Sequence, residues 1–183
     1  PGSVDSDHGI LVYANNFKEK ENIKMREIIQ SYIDKPVYMT NDANAAALGE
    51  VVAGAAKGYK NVVVITLGTG VGGGVIINGQ LYEGQYSAGA ELGHIMLIHD
   101  GEQCSCGRKG CWEAYASATA LIRQTKKAME EHPDSYMNKI ATLDNVSGRT
   151  AFIAAKNGDA AGQAVVDKYI QYISEGLVDI INI

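Results

Sequence analysis

Residues 90–113 read AELGHIMLIHDGEQCSCGRKGCWE, and the rest of the chain is organised around them. All three cysteines of the 183-residue protein fall here, at Cys104, Cys106 and Cys111. His94 stands a short strand-length upstream. Three thiols and one imidazole form a complete tetrahedral ligand set for zinc. Gly107 and Gly110 let the backbone turn sharply and Ser105 is small, as a metal knuckle requires. The C-x-C spacing is tighter than that of a nucleic-acid-binding finger. A disulfide framework would leave one thiol over. His99 competes for the fourth ligand position, and the residues alone leave that choice open. A closed zinc site offers no position to water, so its work is to hold shape. It would pin together the segments carrying Glu91 and Glu113, which bracket it. A lone glutamate is ordinarily a solvated surface charge. Two of them on a rigid frame suit a small polyhydroxylated ligand.

Taken jointly, E-L-G-H at 91–94 and C-S-C-G-R-K-G-C-W-E at 104–113 resemble the signature of the ROK family of sugar kinases and repressors. The resemblance implies zinc on His94, Cys104, Cys106 and Cys111. It implies sugar hydroxyl contacts from Glu91, His94 and Glu113, with His94 giving one ring nitrogen to the metal and one to the sugar. It also implies an α/β fold of the actin-like ATPase (ribonuclease H-like) class, carrying the structural zinc knuckle. Family members begin with a strand and an acidic phosphate loop and continue into a glycine-rich nucleotide segment. Neither is found here, so the chain is expected to be a fragment. Residues 1–45 would be the remainder of the N-terminal lobe with its sugar-facing end, and 46–183 the larger C-terminal lobe.

Upstream of the knuckle, residues 41–50 read NDANAAALGE. An Asn or Asp before an alanine run is a helix N-cap signal. A carboxylate at the carboxyl end of a strand also projects into the crevice where α/β sheets bind ligands. The string resembles the kinase members of the family, where the aspartate is the catalytic base. That role passes to Asp42, and sugar binding to Asn41 and Asp42. Residues 61–67 are a β-branched run, followed by Gly68-Thr69-Gly70-Val71-Gly72-Gly73-Gly74 and a second run over 75–77. Glycines and a threonine hydroxyl in such a turn can cradle a phosphate, although a bent glycine-rich hairpin has the same pattern. The G-K-[ST] of a Walker loop is missing. Gly68, Thr69 and Gly70 are the expected phosphate contacts, by likeness to the second phosphate loop of actin-like sugar kinases. Asn78-Gly79 predicts a tight hairpin turn.

Nearer the start, residues 1–7 read as a polar turn and 9–13 as a short strand. Asn15 and Asn16 mark a loop; the family resemblance gives Asn16 a sugar contact. Met25, Ile28, Ile29, Tyr32 and Ile33 fall on one face of an amphipathic helix. Residues 37–40 predict a buried strand, completing a strand–helix–strand crossover. Tyr82 and Tyr86 are expected to pack. Beyond Glu113, Ser117 caps a helix containing Leu121, Ile122 and Met129 that stops at His132-Pro133. A short helix over 149–156 ends at Asn157-Gly158. Asp159 caps a long helix presenting Val166, Tyr169, Ile170, Ile173 and Leu177 on one face.

The net charge of −5 argues against a nucleic-acid surface in this segment. No apolar run reaches membrane-spanning length, and reduced thiols suit a cytoplasm. The family resemblance implies ATP-dependent phosphorylation of a hexose, with glucose first and N-acetylmannosamine, N-acetylglucosamine, allose and fructose open. It implies ATP with Mg beside structural Zn, and a homodimer in the complete protein. The same resemblance also accommodates a sugar-sensing repressor whose DNA-binding region lies outside this chain.

Overall fold

The computed structural model describes residues 2–14, 22–85 and 89–182. Strands and helices are both present. Contacts divide the chain into two compact units. One holds Pro1–Thr66 and Gly72–Glu91, the other Leu67–Val71 and Leu92–Ile183.

The first unit opens with an antiparallel pair, β1 (Gly2–Asp5) and β2 (Ile10–Ala14), whose register shifts between Ser3 and Val4. The polar start is therefore a strand rather than a turn. Its ladder is made by backbone groups, which side-chain composition does not report. Helix α1 (Met25–Gln30) is shorter than its periodicity predicts, and none of its residues is buried. Arg26 is its main attachment: Nε donates to Val37 O (3.0 Å) and Nη1 to Asp7 O (2.9 Å). Residues 37–40 are not a strand among the described residues. A strand exists only against a partner edge, and neither sheet pairs with this segment. Instead Thr40 Oγ1 donates to Glu83 (2.8 Å), whose carboxylate also accepts from Ser6 Oγ (3.2 Å).

Helix α2 (Asp42–Ala53) begins where the N-cap signal placed it, with Asn41 accepting from the amides of Ala43 and Asn44. Strands β3 (Val62–Leu67), β4 (Val71–Ile77) and β5 (Gln80–Tyr82) form a sheet in that order. Asn78 and Gly79 turn β4 into β5 with φ of 53° and 81°, as a type I′ turn requires. A Cβ at Gly72 would meet Ala43, and one at Gly74 would meet Ala47. The glycines of β4 and the alanines of α2 thus let helix and strand approach closely. Both alanines are buried, as is Ile76. Tyr82 is half exposed rather than packed, and Tyr86 lies outside the described residues.

The second unit is mainly helical: α3 (Glu113–Ala116), α4 (Ala118–Glu131), α5 (Met137–Ile140), α6 (Thr150–Lys156) and α7 (Ala160–Ile181). Ser117 caps α4 by accepting from Ala120 N (3.1 Å). Asp159 caps α7 at Gly162 N and holds Ser135 Oγ (2.9 Å) and Tyr136 N (2.8 Å) at the start of α5. Leu121, Met129, Met137, Ala151, Val166 and Tyr169 belong to the core between α4, α5, α6 and α7. The buried face of α7 is rotated from the expected one: Val165, Val166, Tyr169 and Ile180 are inside, whereas Ile170 and Leu177 are exposed. Trp112 packs against the same helix. It is fully buried, its Nε1 donates to Tyr172 O (2.8 Å), and Gly176 leaves room for its ring. No helix among the described residues is long and apolar enough to cross a membrane.

Candidate functional site

The knuckle is built by short backbone bonds before any metal is considered. Cys104 N donates to Arg108 O (2.8 Å), Gly107 N to Cys104 O (3.1 Å) and Gly110 N to Glu102 O (2.8 Å). Gly107 and Gly110 take left-handed φ values of 87° and 79°, which supply the two reversals. Isolated bridges join Met96 to Cys111 and Gln103 to Lys109. The result gathers one donor atom each from His94, Cys104, Cys106 and Cys111 within 4.8 Å of one another. Cys106 Sγ and Cys111 Sγ lie 3.6 Å apart, and Cys104 Sγ lies 3.6 Å from His94 Nδ1. A tetrahedral zinc places two sulfurs about 3.8 Å apart and a sulfur and a nitrogen about 3.5 Å apart. The donor set fits zinc in number and chemistry, and these two pairs fit it in spacing. His99 is not in the set; it is exposed beside Asp100, at 3.4 Å.

Thiol acidity follows from crowding. Burial, then hydrogen bonds among the thiols, pushes Cys111 up to about 12, and burial raises Cys104 as well. Burial opposes ionisation of Cys106 too, but the Arg108 backbone and the other thiols outweigh it and lower the pKa. A bound cation would oppose this crowding by favouring the thiolate form of each ligand.

Glu113 is the first residue of α3 and joins the knuckle to the glycine loop. Its Oε2 accepts from Val71 N (3.0 Å), and its Oε1 from Ser105 Oγ (2.8 Å) and Cys104 Sγ (3.7 Å). The loop is held from α4 as well: Ala118 N donates to Gly68 O (2.9 Å) and Thr119 Oγ1 to Thr69 O (2.8 Å). Gly68 N closes on Gly70 O (3.0 Å). The amides of Thr69 and Gly70 meet no acceptor among the described residues. Gly68, Thr69, Gly70, His94, the cysteines and Glu113 all belong to the second unit.

Asn41, Asp42 and Glu91 belong to the first unit. Asn41 Oδ1 accepts from Ala43 N (2.8 Å) and Asn44 N (3.4 Å), so it is the cap. Asp42 Oδ1 adds a bond to Ala43 N (3.0 Å). Glu91 is exposed and follows Ala90, whose φ of 61° is rare for a residue with a side chain. Asn16 lies outside the described residues. Sequence reasoning missed Asn44, whose Oδ1 is buried without a partner among the described residues. It also missed the Glu113 bridge, because a contact 42 residues away in sequence leaves no local signal.

A family model described as the ROK family matches residues 1–183. The chain belongs to the ROK family. It is 36% identical over 184 residues to a glucokinase of Thermotoga maritima, covering 100% of this chain and 58% of that protein. It is 40% identical over 150 residues to the xylose repressor of Bacillus subtilis, covering 79% of this chain and 38% of that protein. The structure superposes on a ROK family glucokinase from Streptomyces griseus, in complex with glucose and AMPPNP, with a TM-score of 0.85 and 34% identity. That match covers 99% of this chain and 59% of the other. The α/β fold is thus one shared with ROK sugar-kinase structures, and the chain spans somewhat over half the length of these glucokinases.

Proposed function

We propose that this chain is part of an ATP-dependent hexose kinase of the ROK family, with glucose as the first substrate to test. Asp42 serves as the general base, accepting the proton of a sugar hydroxyl as its oxygen attacks the γ-phosphorus of ATP. Asn16, Asn41, Asp42, Glu91, His94 and Glu113 hold the sugar hydroxyls. Gly68, Thr69 and Gly70 receive nucleotide phosphate, and Mg accompanies the ATP. Zinc on His94, Cys104, Cys106 and Cys111 holds shape and takes no part in the transfer. With Nδ1 turned to the cysteines, Nε2 of His94 is left for the sugar. The lobe division at 45/46, the actin-like domain closure, a cytoplasmic location and a homodimer belong to this proposal for the longer protein.

The observation that carries the reading is the start of α2. Asn41 supplies the cap and Asp42 stands beside it as the first residue of the helix, in a N-D-A-N-A-A-A string that resembles the kinase members of the family. The test is Asp42→Asn in the full-length protein, assayed with ATP and a panel of hexoses. Turnover should fall at least about a hundredfold with folding intact, since general-base loss has that size. Near-normal turnover would refute the assignment. A second reading is a sugar-responsive repressor, favoured by the 40% identity to a xylose repressor. It predicts sugar binding without phosphorylation, and release from DNA when sugar is added.

A further inference from the structure

We propose that metal occupancy of the knuckle sets the conformation of the glycine loop, with Glu113 as the positioning residue that couples them. The inference rests on the reading of residues 68–70 as a phosphate site only for its effect on nucleotide. The coupling itself rests on contacts within the second unit.

Two structures grip Val71, and each is anchored within two residues of a metal ligand. Glu113 lies two residues past Cys111 and accepts the Val71 amide on Oε2. Gly93 lies immediately before His94 and is buried against Val71 O, where a Cβ would collide with that carbonyl. The other oxygen of Glu113 is fixed by Ser105, which stands between the ligands Cys104 and Cys106. The position of the Ser105 hydroxyl is therefore set by how those two thiols are held. A Cβ at Gly70 would fall on Glu113 Oε2. Gly70 is thus glycine because the carboxylate closes over the loop, a reason independent of any phosphate. Leu67–Val71, from the last residue of β3 to the first of β4, belongs to the same unit as the knuckle.

The consequence is directional. With the knuckle closed, Glu113 holds the Val71 amide and leaves the Thr69 and Gly70 amides without an acceptor among the described residues. With the metal removed, Ser105 and Gly93 lose their fixed positions, and the loop loses the grip on its last residue. Glu113 acts through the loop in this role. Its Oε2 accepts from Val71 N alone and retains a second lone pair, so the role is compatible with a sugar contact.

The experiment is hydrogen–deuterium exchange on the full-length protein, zinc-loaded and chelated, paired with AMPPNP titration. Chelation should speed exchange over 68–72 together with 92–113, and by more than in peptides from α4 and α6. AMPPNP affinity should fall about tenfold, as expected for loss of one charge-assisted hydrogen bond. Glu113→Ala should free the Val71 amide with zinc still bound, and Glu113→Gln, which keeps an acceptor, should restore much of its protection. Ser105→Ala provides the same reading with little risk to folding: faster exchange at Val71, zinc retained. Unchanged exchange over 68–72 when zinc is stripped and the knuckle opens would overturn the proposal. Loop exchange that follows zinc while AMPPNP affinity does not would uphold the coupling and refute the phosphate assignment instead.

Discussion

The knuckle over 92–113 and the helix at 25–30 both carry strong sequence patterns, yet only one of them brings together what its pattern marks. Cys104 and Cys111 are buried and the donor atoms converge. On the other pattern, Tyr32 is 84% exposed, and Ile28 and Ile33 are each 47% exposed. The difference lies in what each pattern needs. A ligand set is satisfied by residues close in sequence once two left-handed glycines bend the chain. An apolar helical face has value only against a surface supplied from elsewhere, and the described residues cover α1 only in part, leaving Met25 and Ile29 half-buried and Ile28 exposed. Chemistry that closes on itself can be read locally, whereas amphipathicity states a demand without naming the partner.

The largest expected effect comes from breaking the knuckle. Cys106→Ser or exhaustive chelation should destabilise the second unit by more than about 4 kcal/mol, the range reserved for loss of a metal or comparable feature. Circular dichroism melts and sugar titration should show both losses together. A melt that ignores zinc would erase the contrast between the two regions.

Removing the buried ring comes next. Trp112→Ala should cost about 3–5 kcal/mol, because Trp112 is fully buried and ties α7 to the knuckle. In the same denaturant assay Tyr32→Ser should stay within about 0.5 kcal/mol, as exposed substitutions do. Equal costs would mean that α1 is packed after all.

A smaller effect sits at Asp159. Burial alone would raise its carboxyl, but the amides of Gly162 and Tyr136 and the Ser135 hydroxyl outweigh it and hold the pKa below the ordinary 3.8. A depressed folded pKa gives stability that is present above the unfolded value and lost as pH falls through the folded one. Asp159→Ala should therefore cost about 1 kcal/mol near neutrality, and the difference from the parent should vanish at strongly acid pH. Thermal melts of both proteins across the acid range check this. A constant difference would contradict the capping account.

The smallest is Ala90→Gly. It relieves a left-handed alanine that costs about 1–2 kcal/mol but adds unfolded-state freedom worth about 0.5–1 kcal/mol. A net gain under about 1 kcal/mol is expected by denaturant titration; a loss would mean that the alanine methyl is packed.

Much of the second unit was legible in the sequence because its signals are local. Ser117 and Asp159 start their helices where cap chemistry says, and the Cys–Gly pattern marks the knuckle. The α2 start at Asn41 and the Asn78-Gly79 turn were legible for the same reason. What was hidden depends on distant partners. The β1 strand is polar and owes its existence to β2. The segment 37–40 looks like a strand but meets no edge among the described residues. The buried face of α7 turns toward Trp112 through Gly176, a contact that no heptad count predicts. Of the site, the donor atoms could be named in advance, whereas the Glu113 bridge to Val71 required the fold.

Native mass spectrometry of the protein purified without added metal tests the central claim most directly. The account predicts one zinc per chain, lost in Cys106→Ser and unaffected by His99→Ala, since His99 stands outside the ligand set. A chain that is fully folded and free of metal, or one that loses its zinc with His99, would contradict it.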